Sequence, residues 1–401
     1  MVTTRLTESQ LIQTRSWFTD DFAPVTQSDL DSDAHYNLGY VRDVIDTAQQ
    51  AFGATPYMSI DLMPLALSEN QTPNRTDCTM SFTNAVTNHW PADNNVFALA
   101  VKGLVQRIVE GDSNEPTARP VQYWEVWNEP EFPYFWDGGL AADTARFFDM
   151  ATLVLAVLDD YRNTLPNANA QALKLGLASF AGATTAATVV EQFDAASVTA
   201  GSRAVPLDFI SFHSYHNDPL DIVTDIKTVA DAVANSTYYQ DLELELELEL
   251  ELELELAEWG SDLDTTTSDP DYANSMDPPL LMSSVIAMGA ALGLDRAHHA
   301  IFYDFHPGIK LGLIGNDGSP KPLYRAYELL SESITAGSVM LVPDNATDNQ
   351  LANNGAVLVT RDSGDTIRAL FINRDTSAHT ASLENASGAM TAVTGSGLYY
   401  R

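Results

Sequence analysis

The chain has 401 residues with 45% hydrophobic and 9% aromatic content, enough to bury a full core, and its length suits one large domain plus a small appendage. Its formal net charge of −35 argues against partners bound through phosphates, nucleic acid and anionic membranes alike, and no apolar stretch approaches the roughly 20 residues of a membrane span. With Cys78 as the only cysteine, an intramolecular disulfide and a cysteine-based metal site are excluded.

In chain order, the N-terminus Met1-Val2-Thr3-Thr4-Arg5-Leu6-Thr7-Glu8 lacks a basic segment followed by an apolar run, so no secretion signal is expected there. Thr7–Gln13 reads as the tail of a helix. Short apolar runs then predict strands at Leu11–Phe18, Pro56–Met63, Val121–Asn128, Leu173–Ser179, Phe209–Tyr215, Leu254–Glu258 and Ala300–Asp304. Between them, apolar residues at spacings of three and four predict crossover helices, as in Leu38, Val41, Ile45, Ala48 and Phe52, or Phe97, Val101, Leu104 and Ile108. Later helices start after Pro278-Pro279, running to Gly293, and after Pro322, running through Leu330, with proline where a first turn tolerates it.

This alternation is the pattern of parallel βαβ units and predicts an α/β fold, a (β/α)8 TIM barrel over residues 1–332. The strand count is one short, and the deficit falls at the start. Either the first strand is missing, or an irregular element within the first ten residues closes the barrel. From Ser333 the helical period gives way to β-rich runs at Ser338–Val342, Ala356–Thr360 and Thr366–Ile372, which predict a small all-β accessory domain over 333–401. Its closing segment, Ala378–Arg401, is poor in core residues.

Residues 242–256 alternate Leu and Glu without interruption, a period of two that fits a strand with one apolar and one anionic face. These fifteen residues would extend roughly 50 Å at about 3.3 Å each, several times the length of a barrel strand. Only the last four or five are therefore expected in the barrel, with the rest protruding below its N-terminal face. Counting back from Glu258 by twos, Leu256 and Leu254 are expected to point inward and Glu255 toward the helices. Expansion of a coding repeat is the favoured origin and an acidic binding arm the alternative.

Two glutamates end strand-like runs: Glu129 in Trp124-Glu125-Val126-Trp127-Asn128-Glu129-Pro130, and Glu258 in Ala257-Glu258-Trp259-Gly260. Barrel strands present catalytic side chains at their C-terminal ends. Cleaving a glycoside needs one acid to protonate the leaving oxygen and one carboxylate at the anomeric carbon, facing each other across the bond. Three βα units separate the pair, which places them across a barrel mouth.

With these motifs the sequence resembles the clan of retaining (β/α)8 glycoside hydrolases, whose acid/base lies in an Asn-Glu-Pro motif on the fourth strand and whose nucleophile ends the seventh. It is most similar to glycoside hydrolase family 39, the β-xylosidases and α-L-iduronidases. Supporting segments are Ser59-Ile60-Asp61-Leu62-Met63-Pro64, Asp208-Phe209-Ile210-Ser211-Phe212-His213-Ser214-Tyr215, and Gly312 to Pro322. The resemblance spans Leu11 to Leu330, and the β-rich tail is similar to that family's β-sandwich appendage. It implies that Glu129 is the acid/base, Glu258 the nucleophile and Asn128 a donor to the sugar hydroxyl beside the anomeric carbon. The last predicted strand, Ile301-Phe302-Tyr303-Asp304-Phe305-His306, departs from the clan by lacking its common tryptophan.

Tyr215 and His213 are placed to orient Glu258, and Arg15, Trp17 and Tyr303 to line the sugar pocket; capping and packing explain these residues equally well. His213 with His216, and His298 with His299, lack carboxylate partners in a recognised metal-ligand arrangement. No phosphate-binding glycine loop is present, and the expected chemistry requires no cofactor. The expected activity is that of a retaining, β-xylosidase-like O-glycoside hydrolase on a carbohydrate substrate. The alternatives are an endo-acting glycanase, suggested by the long Glu69–Asn95 loop, and a carbohydrate-binding barrel that has lost catalysis.

Overall fold

The computed structural model describes residues 3–7, 16–18, 25–61, 63–70, 86–164, 167–240, 252–263, 269, 271–300, 302–304, 310–334, 338–341, 355–374, 384–385 and 388–389. The chain divides into two compact units, Met1–Glu328 and Leu329–Arg401.

Seven parallel strands run through the first unit in sheet order equal to sequence order: β1 (Thr3–Thr7), β2 (Thr55–Ile60), β3 (Tyr123–Val126), β4 (Lys174–Phe180), β5 (Phe209–Tyr215), β6 (Glu253–Gly260) and β7 (Leu294–His299). Helices follow them on the outside: α1 (Gly39–Phe52), α2 (Asn94–Val109), α3 (Thr144–Thr164), α4 (Ala183–Ala200), α5 (Pro219–Asn235), α6 (Asp277–Gly289) and α7 (Pro322–Ser333). The sheet curls until β1 and β7 approach within 8 Å between Cα atoms. This is the TIM-barrel architecture that the alternating pattern predicts, with seven strands among the described residues.

Three strand assignments differ from the sequence reading. The first strand is Thr3–Thr7, in parallel register with Thr55–Ser59, rather than Leu11–Phe18. Residues 11–15 of that predicted strand lie outside the described residues, and Phe18 forms only an isolated bridge to Tyr36. The predicted helix tail at Thr7–Gln13 fails at Thr7, which ends β1, and 8–13 lie outside the described residues. The last strand is Leu294–His299 rather than Ala300–Asp304; Phe302 and Tyr303 follow it as exposed residues, at 56% and 43%.

The third difference concerns direction. Phe209 pairs with Glu253, Ser211 with Glu255 and Phe212 with Leu256, but His213 pairs with Glu258, so Ala257 is an extra residue bulged out of register. That bulge inverts the parity of everything before it. Glu253 and Glu255 therefore share the inward face with Glu258, while Leu254 and Leu256 turn toward the helices. The expected outward Glu255 is in fact fully buried inside the barrel. The strand also takes four residues of the repeat; residues 242–251 of its predicted protruding part lie outside the described residues.

The floor of the barrel is built to receive these charges. Tyr57, Tyr123 and Phe209 form a buried ring cluster, with centroids 5.3–5.9 Å apart. Gly176 admits the Phe209 ring, because a Cβ there would lie 1.8 Å from it. The Arg296 guanidinium lies 3.9 Å from the Tyr123 ring centroid, bonds Glu255 at 2.6 Å and also contacts Glu253, which Lys174 meets at 3.0 Å. Burial pushes the Glu253 carboxyl up, but Arg296 and Lys174 more than offset it, so its pKa falls below the ordinary value.

In the second unit, β8 (Val339–Leu341), β9 (Gly355–Arg361) and β10 (Ile367–Asn373) form an antiparallel sheet in that order. Most of residues 375–401 lies outside the described residues. Among the described residues no helix is long and apolar enough to cross a membrane.

Candidate active site

The site is assembled at the C-terminal ends of β3, β5 and β6. Leaving β3, the backbone takes left-handed conformations at Trp127 (φ 78°) and Glu129 (φ 40°), and the end of β4 does the same at Ala178 (φ 74°) and Ser179 (φ 35°). Non-glycine residues there cost on the order of 1–3 kcal/mol each and persist only where the surroundings over-determine them. Here Trp127 N–H donates to the Ile60 carbonyl at 2.9 Å, and Glu129 N–H reaches the Ala178 and Ser179 carbonyls at 3.1 Å. The Trp127 indole is fully buried, donates to the Phe135 carbonyl at 3.2 Å and meets Trp136 edge-on at 5.2 Å. The strained turn is thus pinned from both neighbouring strands and from above, and it aims Glu129 across the barrel mouth.

Four side chains converge there. His213 Nδ1 lies 2.6 Å from Glu129 Oε1 and 3.8 Å from Glu258 Oε2. Tyr215 donates its hydroxyl to Glu258 Oε2 at 2.9 Å. His213 is 1% exposed, whereas Glu129 and Glu258 keep 15% and 25% of their side-chain surface, so the imidazole sits beneath two carboxylates that open outward. Asn128, between Trp127 and Glu129, is buried.

Sequence reasoning therefore named four residues that the structure brings together: Glu129, Glu258, His213 and Tyr215. It assigned His213 to Glu258, and the structure sets the histidine closer to Glu129. The other candidates lie elsewhere. Trp17 is buried in an aromatic cluster, stacked on Tyr36 at 6.4 Å and edge-on to Phe18 at 5.9 Å. Tyr303 is exposed and donates to the Asn316 carbonyl at 2.8 Å. Neither makes a hydrogen bond or ring contact with the four-residue cluster among the described residues. Arg15 lies outside the described residues.

His216 bonds Asp225 of α5 at 3.1 Å, and Asp225 also accepts from Ser214 at 2.7 Å, which accounts for that histidine as a loop anchor. His298 approaches Glu255 at 3.4 Å, and His299 Nε2 bonds the Leu311 carbonyl at 2.9 Å. Among the described residues no group of three His, Cys, Asp or Glu side chains is arranged to hold a metal ion.

Two acids escaped the sequence reading. Glu131, on the same loop as Glu129, accepts from the Ala181 N–H at 3.1 Å, and burial pushes its carboxyl pKa above the ordinary value. Glu125, fully buried, accepts hydroxyls from Tyr57 at 2.8 Å, from Ser179 at 2.6 Å and from Ser211, all on Oε1. Its signal was available: an acid in the middle of Trp-Glu-Val-Trp has no place in an apolar strand unless the barrel interior is polar.

Among solved structures, the chain is similar to a glucosidase from Croceicoccus marinus, at 20% identity and a TM-score of 0.62, over 92% of this chain and 67% of that one. It is similar to a conserved exported protein from Bacteroides fragilis, at 11% identity and a TM-score of 0.60, over 86% of this chain and 72% of that one. These likenesses establish the fold. No family model matches the chain, and no curated protein does.

Proposed function

We propose that the chain is a retaining O-glycoside hydrolase in which Glu129 is the acid/base and Glu258 the nucleophile. The observation that carries this is that both carboxylates reach one imidazole nitrogen, His213 Nδ1, at 2.6 and 3.8 Å. Two carboxylates gathered on one nitrogen are close enough to act on a single glycosidic bond. The likeness of their motifs to the retaining clan then favours double displacement, with carboxyl groups about 5–5.5 Å apart, over inversion, which needs about 6.5–9.5 Å to admit water.

Glu258, held by the Tyr215 hydroxyl, attacks the anomeric carbon while Glu129 gives its proton to the leaving oxygen. The C–O bond breaks and a glycosyl ester forms on Glu258. Glu129, now a carboxylate, takes a proton from water, whose oxygen displaces Glu258 from the anomeric carbon and releases the sugar with its original configuration. His213 steadies Glu129 through both steps. A carbohydrate substrate agrees with the glucosidase that shares the fold, and the motifs of glycoside hydrolase family 39 favour a β-xylosidase-like activity.

The test is the anomer released first from aryl β-xyloside and β-glucoside substrates, read by NMR. Retention is expected, and inversion overturns the assignment of Glu258 as nucleophile. Replacing Glu129 with Gln should lower kcat/KM by about 10²–10⁴-fold on substrates whose leaving group needs protonation. A barrel that binds sugar without turnover would show affinity but no release, unchanged by Glu258→Gln.

A further inference from the structure

Resting on that reading, we infer that Glu125, a buried carboxylate with no part in the displacement chemistry, is a positioning residue that sets the relative heights of Glu129 and His213. A barrel interior is ordinarily filled by layers of branched apolar side chains. In this one the layer beneath the site is polar and centred on a single oxygen. Glu125 Oε1 accepts from Tyr57 on β2 at 2.8 Å, from Ser179 on β4 at 2.6 Å, and from Ser211 on β5, so β3 is tied to three other strands through one atom.

Two of the three ties lead to a catalytic element. Ser179 is one of the two residues whose carbonyls receive the Glu129 N–H, at 3.1 Å, and its own N–H donates to the Ser211 hydroxyl at 3.1 Å. Ser211 stands two residues before His213 on the same face of β5, and His213 touches Glu129 at 2.6 Å. The path Glu125–Ser211–His213–Glu129 therefore closes on itself through Ser179. Moving the Glu125 oxygen shifts β4 and β5 against β3, and with them the contact between acid and imidazole. Displacements of about 1 Å in such arrangements cost on the order of 10²-fold in rate.

Two substitutions separate this role from a merely structural one. Glu125→Gln leaves an acceptor oxygen in place, whereas Glu125→Asp withdraws it by one methylene. The expected result, measured on an aryl glycoside that the wild-type enzyme cleaves and at a temperature where all variants are folded, is a kcat reduced about 10–100-fold for Glu125→Asp with KM within about twofold. Glu125→Gln should stay within about fivefold of wild type. A crystal structure of Glu125→Asp should show the 2.6 Å contact between Glu129 and His213 lengthened.

Wild-type kcat for both variants, with only a lowered melting temperature and an unchanged contact, overturns the inference. The crystal structure reads the geometry without turnover. If the wild-type protein cleaves no glycoside, the functional reading fails while the positioning role is still decided by that distance.

Discussion

Arg296 is the cation on which the barrel floor depends, and its removal gives the most severe prediction. It bonds Glu255 at 2.6 Å, contacts Glu253 and packs its guanidinium 3.9 Å from the Tyr123 ring. Glu255 has no side-chain exposure, and in Arg296→Met the imidazole of His298, at 3.4 Å, stands beside it in place of the guanidinium. Breaking a buried pair from one side costs about 3–5 kcal/mol, because the surviving charge is left in a poorly solvated place. Lost cation–π attraction to Tyr123 adds about 0.5–2 kcal/mol. Urea unfolding followed by tryptophan fluorescence should therefore show a loss of at least 3 kcal/mol. Adding Glu255→Leu should recover about 2 kcal/mol or more, since the stranded charge is then gone and replacing both partners by apolar groups is often neutral. A loss under about 1 kcal/mol in the single variant, or no recovery in the double, would refute the view that Glu255 is a buried ion held by Arg296.

Tyr215→Phe removes the hydroxyl that Glu258 accepts at 2.9 Å; kcat should drop about 10–100-fold, the worth of a hydrogen bond to a charged group, with the fold intact by circular dichroism. Gly176→Ala puts a methyl into the Phe209 ring, and the melting temperature should show a penalty of about 1–3 kcal/mol or more. Burial holds His299 down to about 4, with its Nδ1 shut off from solvent, so the unfolded chain binds this proton first as pH falls. Stability should be flat above about pH 6.5 and decline by about 2–3 kcal/mol between there and about pH 4, and His299→Gln should flatten that decline.

Strands β2 to β6 were legible because each is an apolar run bounded by turn residues, and Glu129, His213, Tyr215 and Glu258 were legible because they end such runs. β7 was passed over because Leu294-Asp295-Arg296-Ala297-His298-His299 looks like a loop. Arg296 and His298 there meet the glutamates of β6, of which the sequence reading had pointed Glu255 outward. The apolar Ile301-Phe302-Tyr303 took its place in the reading, yet Phe302 and Tyr303 are exposed. β1, with three threonines and an arginine, carries no hydrophobic period at all. Glu125 stood out as an acid in the middle of Trp-Glu-Val-Trp, but what it does follows only from its partners, three residues on three other strands. The bulge at Ala257 is a further case, since one extra residue in a ladder leaves no mark on composition or period.

That bulge also decides how the gene can change length here. With parity fixed from the Glu258 end, the part of the repeat that enters the strand among the described residues is its final Glu-Leu-Glu-Leu, and every whole dipeptide gained or lost upstream presents the same four residues again. Slippage by full units is therefore silent at the barrel floor, while a single-residue insertion between Glu253 and Leu256 would put leucine against Arg296 and carry glutamate into the helix layer. The barrel acts as a reading frame for the repeat that feeds it, indifferent to copy number and intolerant of phase.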